Sequence, residues 1–446
     1  MKRVRSAPGG TDALRTGRIV PTFLRFFATT FAALFFGALY NLADALFVSR
    51  GVGDDAMGAV SVVLPFTILQ GAAAQAIGGG AASIVSRCLG RGDRQAAGRA
   101  TVTAMALFYG IAVLVSALGL LFTEPLLRLF GATDALLPMA REYFVVLLWG
   151  NVFSTGFSSV IRAEGKMRYA LLIWLIPTSA DMLLNAVFIF GLGLGVRGAA
   201  LSTVIGQAVS FCMAVLFFAR FSGQDFRAVR PSRGFLPQIA LLGLPVLVQM
   251  GGMSVITFVV NRLLGDVAGT QGVNTFAYVV RLASFGIMPF TAAAQAASPM
   301  IGFYLGAGAR QRVKKTAVTA CIVCALWAVL ALLAVQAFPG VLMRVFTNST
   351  DLVALGAQAL RAVSPAILFV FVPLLFGAFF QSAGKMAGAL FLNALPVACV
   401  PLFAWFLSAR FGTSGVWWAF VLGCACACLF GVVYAGLTVR KHSAAA

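Results

Sequence analysis

Long apolar runs separated by short polar stretches recur along the chain about every 35 residues, each exceeding the ~20 residues that cross hydrocarbon as a helix. About twelve runs can be counted, and they predict spans at roughly 20–47, 56–83, 98–122, 138–160, 169–192, 198–219, 237–262, 271–300, 316–338, 355–380, 386–409 and 415–437. A transmembrane barrel would show short alternating segments instead. The expectation is an all-α polytopic membrane protein. Within two of the runs the polar positions share one helical stripe. In the first, Gly37, Tyr40, Asn41 and Asp44 fall at spacings of three and four. In the fifth, Thr178, Asp181 and Asn185 do the same.

The pattern repeats once. Ala72-Ala73-Ala74-Gln75-Ala76 returns as Ala292-Ala293-Ala294-Gln295-Ala296, and Leu89-Gly90-Arg91-Gly92 as Leu305-Gly306-Ala307-Gly308. Leu126-Leu127-Arg128-Leu129-Phe130 returns as Leu342-Met343-Arg344-Val345-Phe346. Ala163-Glu164-Gly165-Lys166-Met167 returns as Ala383-Gly384-Lys385-Met386 with one residue gapped. The offsets, about 216–220, keep their order, so each copy holds about six spans. An even number makes the copies parallel repeats. The predicted organisation is a disordered cytoplasmic tail (1–18), an N-lobe (19–220), a cytoplasmic linker (221–236), a C-lobe (237–439) and a second tail (440–446).

Composition agrees with this picture. Of 446 residues, 61% are hydrophobic and 10% charged, a balance that soluble domains rarely show. The net charge of +20 is explained by topology. Most Lys and Arg fall in Lys2 to Arg25, Arg87 to Arg99, Arg162 to Arg168, Arg220 to Arg233, Arg310 to Lys315 and Arg440-Lys441, all on one predicted side. By the positive-inside rule that side is the cytoplasm, with both termini on it. Membrane lipids are therefore expected partners, and nucleic acid is not. The first run is too long for a signal peptide and contains Asn41 and Asp44. Cys321-x-x-Cys324 and Cys424-x-Cys426-x-Cys428 lie inside apolar runs and the one histidine, His442, is on the tail, so no metal site is expected. Nor is a cofactor or a catalytic site. No Gly-x-x-x-x-Gly-Lys motif is present for an ATP-driven pump.

Chemistry is sought in the spans. Asp44 and Asp181 are the two carboxylates well clear of span ends, and a charged residue at mid-membrane costs roughly 2.5–3.5 kcal/mol on insertion scales. Such an acid suits ion coupling, being neutral in one access state and anionic in another, and an anionic form suits Na⁺ or a cationic substrate. The alternative is interhelical hydrogen bonding. Asn41, Asn185 and Thr203 are placed as supports of the coupling acids. Tyr40, Gln75, Tyr143 and Asn151 are candidate cavity residues, with ordinary packing as the alternative. Arg281, the second copy's only charge inside a span, is either a cavity residue or a partner of backbone carbonyls at a helix break. Two parallel six-helix lobes suggest alternating access around a midplane site.

Leu39-Tyr40-Asn41-Leu42-Ala43-Asp44-Ala45-Leu46-Phe47-Val48, Arg162-Ala163-Glu164-Gly165, the run from Phe188 to Thr203 and the run from Pro299 to Gly308 resemble the multidrug and toxic compound extrusion (MATE) family. The resemblance extends over nearly the whole chain after residue 20. It implies a V-shaped pair of lobes that exports cationic, amphipathic compounds in exchange for H⁺ or Na⁺. It also implies the bacterial type with first-lobe acids, since Gln249 stands near where another branch carries a seventh-span glutamate. Asp44 matches the family's first-span acid. In the fifth span the usual Asn-then-Asp order is reversed, moving the charge by one turn, about 6 Å. Thr29 stands where relatives often have a kinking proline. The expected protein is a monomeric secondary antiporter of a bacterial inner membrane, acting on a small amphipathic or cationic molecule. The alternatives are a lipid-linked precursor flippase, which calls for several cavity arginines, and a ligand-binding sensor on the same scaffold.

Overall fold

The computed structural model describes residues 14, 17–52, 54–130, 134, 136–153, 156–226, 230–344 and 350–443; within these, the side chains of 40–51, 54–58, 61, 64, 270, 273, 274, 277, 351 and 435–443 lie outside the description. All regular structure among the described residues is helical. The principal helices are α1 (Ile19–Gly51), α2 (Asp54–Arg91), α3 (Arg94–Leu121), α4 (Thr123–Leu129), α5 (Leu137–Gly150), α6 (Ser158–Ala163), α7 (Met167–Asn185) and α8 (Gly195–Arg220). They continue as α9 (Phe235–Gly306), α10 (Arg310–Ala337), α11 (Pro339–Arg344), α12 (Thr350–Val363), α13 (Ile367–Ser382) and α14 (Met386–Ser443).

Eleven stretches among the described residues are long and apolar enough to cross a membrane. The last, Met386–Tyr434, runs for 49 residues, more than twice the ~20 that one crossing needs. Gly412 breaks it at φ 59°, ψ −136°, a conformation that only glycine adopts without strain. Its two legs are the predicted spans 386–409 and 415–437, which restores the count of twelve. Gly269 (φ 59°, ψ −151°) divides the 72-residue α9 in the same way.

The internal repeat is visible in the coordinates. The short α4 after the third span has its counterpart in α11, and the 3-10 turn Asn151–Phe153 in Ser364–Ala366. Gly92 (φ 85°) and Gly165 (φ 77°) are matched by Gly308 (φ 71°) and Gly384 (φ 74°).

The chain folds into two compact units. The first is built on Ala28–Gly243 and takes in Gly302–Gly308; the second comprises Ile19–Phe27, Leu244–Ile301 and Ala309–Ala446. In the first, Phe66, Leu127, Phe144 and Leu148 form a buried cluster, with the rings of Phe66 and Phe144 edge-on at 4.8 Å. Glycines let its helices approach closely: a Cβ on Gly243 would stand 2.6 Å from the Ala76 carbonyl oxygen, a spacing no other residue tolerates. The second unit has its own cluster around Ile256, Val260, Leu264, Val400 and Trp417.

Candidate functional site

The predicted stripe on α7 lies in the first unit. Pro177, inside this helix, has no N–H and leaves the carbonyl of Ile173 without its intrahelical partner. The hydroxyl of Ser210 on α8 donates to that carbonyl at 3.3 Å. Directly after Asn185 the helix widens into a π-helical turn, Ala186–Gly191, a feature that recurs at functional sites. Asp181 lies between these two irregularities and is 4% exposed. Gly206 of α8 stands opposite: a Cβ there would be 3.2 Å from Asp181 Cβ and 3.2 Å from the Pro177 carbonyl oxygen. Asn185 is fully buried, and its Nδ2 donates to Asp181 Oδ1 at 3.5 Å.

A cavity of about 250 Å³ opens beside this contact, with Trp174, Asp181, Thr203, Gln207 and Ser210 among its lining. Its lining includes no Lys or Arg. The Thr203 hydroxyl donates to the Ala199 carbonyl at 3.1 Å, and that of Ser210 is committed to Ile173. Both oxygens are left to act as acceptors. Gln207 Oε1 is buried without a hydrogen-bond partner among the described residues. A carboxyl group and several acceptor oxygens form a wall suited to a proton or a small cation. The volume lies below the ~300 Å³ at which drug-sized pockets begin, so the cavity accommodates an ion with water better than a drug.

The MatE family model matches residues 30–190 and again residues 245–406, together well over half of the chain. The chain belongs to the MatE family. The double match places the sequence repeat at the scale of the family model itself. A probable multidrug resistance protein of Bacillus subtilis, YpnP, is 28% identical over 387 residues, covering 84% of this chain and 86% of its own length. The multidrug export protein MepA of Staphylococcus aureus is 24% identical over 408 residues, 89% of each chain. Among solved structures, a MATE crystal structure in a bent conformation superposes with a TM-score of 0.90 at 25% identity, covering 97% of this chain and 98% of that one.

The side chains of Tyr40, Asn41 and Asp44 lie outside the described residues. Gln75 is half-buried on α2 and is not part of the cavity wall. Two other cavity candidates make the packing contacts that were their alternative. Tyr143 is 7% exposed and packs in the first unit's apolar cluster. Asn151, 1% exposed, accepts from Gln70 and donates to the Ala112 carbonyl at 3.1 Å and to Ser116 Oγ at 3.0 Å. That network satisfies its amide and ties α3 to the end of α5. Arg281 is exposed on α9. Gln207, Ser210 and Gly206 were not singled out in the sequence. With Thr203 they recur at spacings of three and four along α8, a signal that was available.

Proposed function

We propose that this protein is a secondary antiporter that exports organic cations or drugs across a bacterial plasma membrane in exchange for H⁺ or Na⁺, by alternating access. The observation that carries the reading is Asp181: a carboxyl group 4% exposed, set one turn after Pro177 on α7 beside a cavity lined by acceptor oxygens. A buried carboxyl of this kind binds a proton or cation with an affinity set by its surroundings, and that affinity changes when the helices move. Asn185 holds one of its oxygens, and Thr203 and Gln207 supply further acceptors. The related proteins named for multidrug resistance and export supply the substrate class. A pyrophosphate-bearing lipid would want cationic partners, which this wall lacks.

The test is efflux of ethidium from proteoliposomes under a pH gradient or a Na⁺ gradient, imposed one at a time. Asp181→Asn should reduce gradient-driven efflux by about 5–150-fold, the usual range of a coupling interaction, while its melting temperature stays close to that of the parent. Unchanged efflux in the variant removes Asp181 from the coupling mechanism.

A further inference from the structure

The first unit holds a cation that the ion-coupling site does not use. Arg162, in the last turn of α6, is half-buried. Its Nη2 donates to Ser159 Oγ at 2.8 Å and its Nη1 to Ser158 Oγ at 3.5 Å. Both partners are neutral. No carboxylate among the described residues pairs with it: Glu124 and Asp134 pair with Arg128, and Glu142 with Arg197. The acid two residues along, Glu164, is 1% exposed and already occupied. Its Oε1 accepts from the Ser222 hydroxyl at 2.6 Å and from Gln224 Nε2 at 2.7 Å, and its Oε2 accepts from the Gly223 N–H at 2.7 Å. These bonds strap the linker to the turn between α6 and α7 and leave Arg162 without a counter-charge there.

A charge taken out of water is unfavourable unless it is paired. The groups around Arg162 define the chemistry of the missing partner. A guanidinium carries five N–H donors, and two of them have acceptors here. The hydroxyls of Ser158 and Ser159 accept from Arg162, and their own protons have no acceptor among the described residues. Three N–H and two O–H groups therefore gather around one positive charge with nothing to receive them. This is the reverse of the wall around Asp181, which collects acceptors. Ser158 also lines the cavity, so the donor cluster reaches open space. A phosphate group offers several acceptor oxygens and a negative charge, and the planar fork of a guanidinium suits it. Arg162 follows the predicted span 138–160 on the side assigned to the cytoplasm, the level at which phospholipid phosphates lie.

We propose that Arg162, Ser158 and Ser159 form an anion site that takes a phosphate group, supplied by the headgroup of an anionic lipid or by free phosphate. The site is separate from the ion-coupling reading and does not depend on it.

The test is thermal unfolding of the full-length protein in lipid-free detergent micelles. Phosphatidylglycerol, phosphatidylcholine or inorganic phosphate is titrated in, with chloride holding the ionic strength constant. Phosphatidylglycerol should raise the melting temperature saturably, and phosphatidylcholine much less. Stabilisation by phosphatidylglycerol alone assigns the site to a lipid headgroup; stabilisation by inorganic phosphate assigns it to the free anion as well. Arg162→Gln should weaken the apparent affinity about tenfold or more, as expected for loss of charge-assisted hydrogen bonds. Arg168→Gln, which removes an exposed charge nearby, should leave it unchanged. Without phosphate or anionic lipid, Arg162→Gln should melt at or above the parent temperature, because an unpaired charge has been removed. At saturation the order should reverse. Should Arg162→Gln fail to fold, the double variant Ser158→Ala/Ser159→Ala keeps the guanidinium and should weaken the affinity several-fold.

The proposal is overturned if neither anion stabilises the parent more than phosphatidylcholine does. It is also overturned if Arg162→Gln and Arg168→Gln respond alike, if the stability order stays the same with and without the anion, or if the serine variant binds as the parent does.

Discussion

The fifth and sixth spans of the two repeats share a scaffold and differ in polarity. In the first copy, Pro177, Asp181 and Asn185 follow one another at four-residue spacing on α7, and Gly206 of α8 lies against Asp181. In the second copy, Pro396, Val400 and Ala404 occupy the same spacing on α14, and Gly423 lies against Val400. Val400 is 1% exposed and Ala404 fully buried, within the second unit's apolar cluster. The proline and the glycine contact are therefore compatible with an entirely apolar stripe. Asp181 and Asn185 are not needed to make this helix pair, and interhelical hydrogen bonds of this kind are typically worth only ~0.6 kcal/mol. The expensive residues in the first copy call for a role other than packing.

The comparison breaks most sharply if the second copy is given the first copy's acid. Val400→Asp places a carboxyl in an apolar cluster, and an uncompensated buried charge costs about 3–5 kcal/mol. Thermal unfolding in detergent should show a large loss of stability. A well-folded variant would mean that the second pair tolerates polarity as readily as the first. A smaller effect separates the two glycines. A Cβ on Gly423 would be 2.5 Å from Val400 Cγ2 and 3.1 Å from its backbone nitrogen, which has little freedom to move. Gly423→Ala should cost about 1–3 kcal/mol, as overpacked sites do. In Gly206→Ala the nearest atoms are 3.2 Å away, so the same melting experiment should register the lower end of that range. Equal losses would show that the acid's contact is as tight as the apolar one.

Much of the first copy's site was legible because an acid in an apolar run is conspicuous at any position. Asp181 and its stripe with Thr178 and Asn185 needed only helical spacing. Tyr143 and Asn151 could be read two ways for a physical reason: a polar residue in a span looks the same whether it bolts two helices together or lines a cavity. What decides is the neighbouring helix, and the partners of Asn151 are 35, 39 and 81 residues away in sequence. Gln207 escaped notice because an uncharged amide on a mixed helix face carries little signal. The spans were legible from period and length, and the gaps between the predicted spans, 262 to 271 and 409 to 415, bracket the single-residue breaks at Gly269 and Gly412. The linker strap was the least legible feature. Its donors on 222–224 meet an acceptor 58–60 residues upstream, in a turn that sequence alone would leave exposed.

That turn is also where the repeats differ by one residue, since Ala383-Gly384-Lys385 lacks the glutamate of Ala163-Glu164-Gly165-Lys166. Burial pushes the Glu164 carboxyl above its ordinary value of 4.5; the hydrogen bonds from Ser222, Gly223 and Gln224 and the charge of Lys166 oppose the shift without reversing it. The folded chain thus holds this proton more tightly than the unfolded chain does. Its contribution to stability is fully present below about pH 4.5 and is lost as pH rises through the raised folded value. Melting temperatures of the parent and of Glu164→Gln, measured from pH 4 to pH 7, should therefore diverge. Relative to the variant, the parent loses stability as pH increases, because only the parent gives up a proton that burial had favoured. Parallel curves would mean that the three hydrogen bonds and Lys166 fully compensate for burial, and the first copy's turn would then differ from the second in its bonding alone.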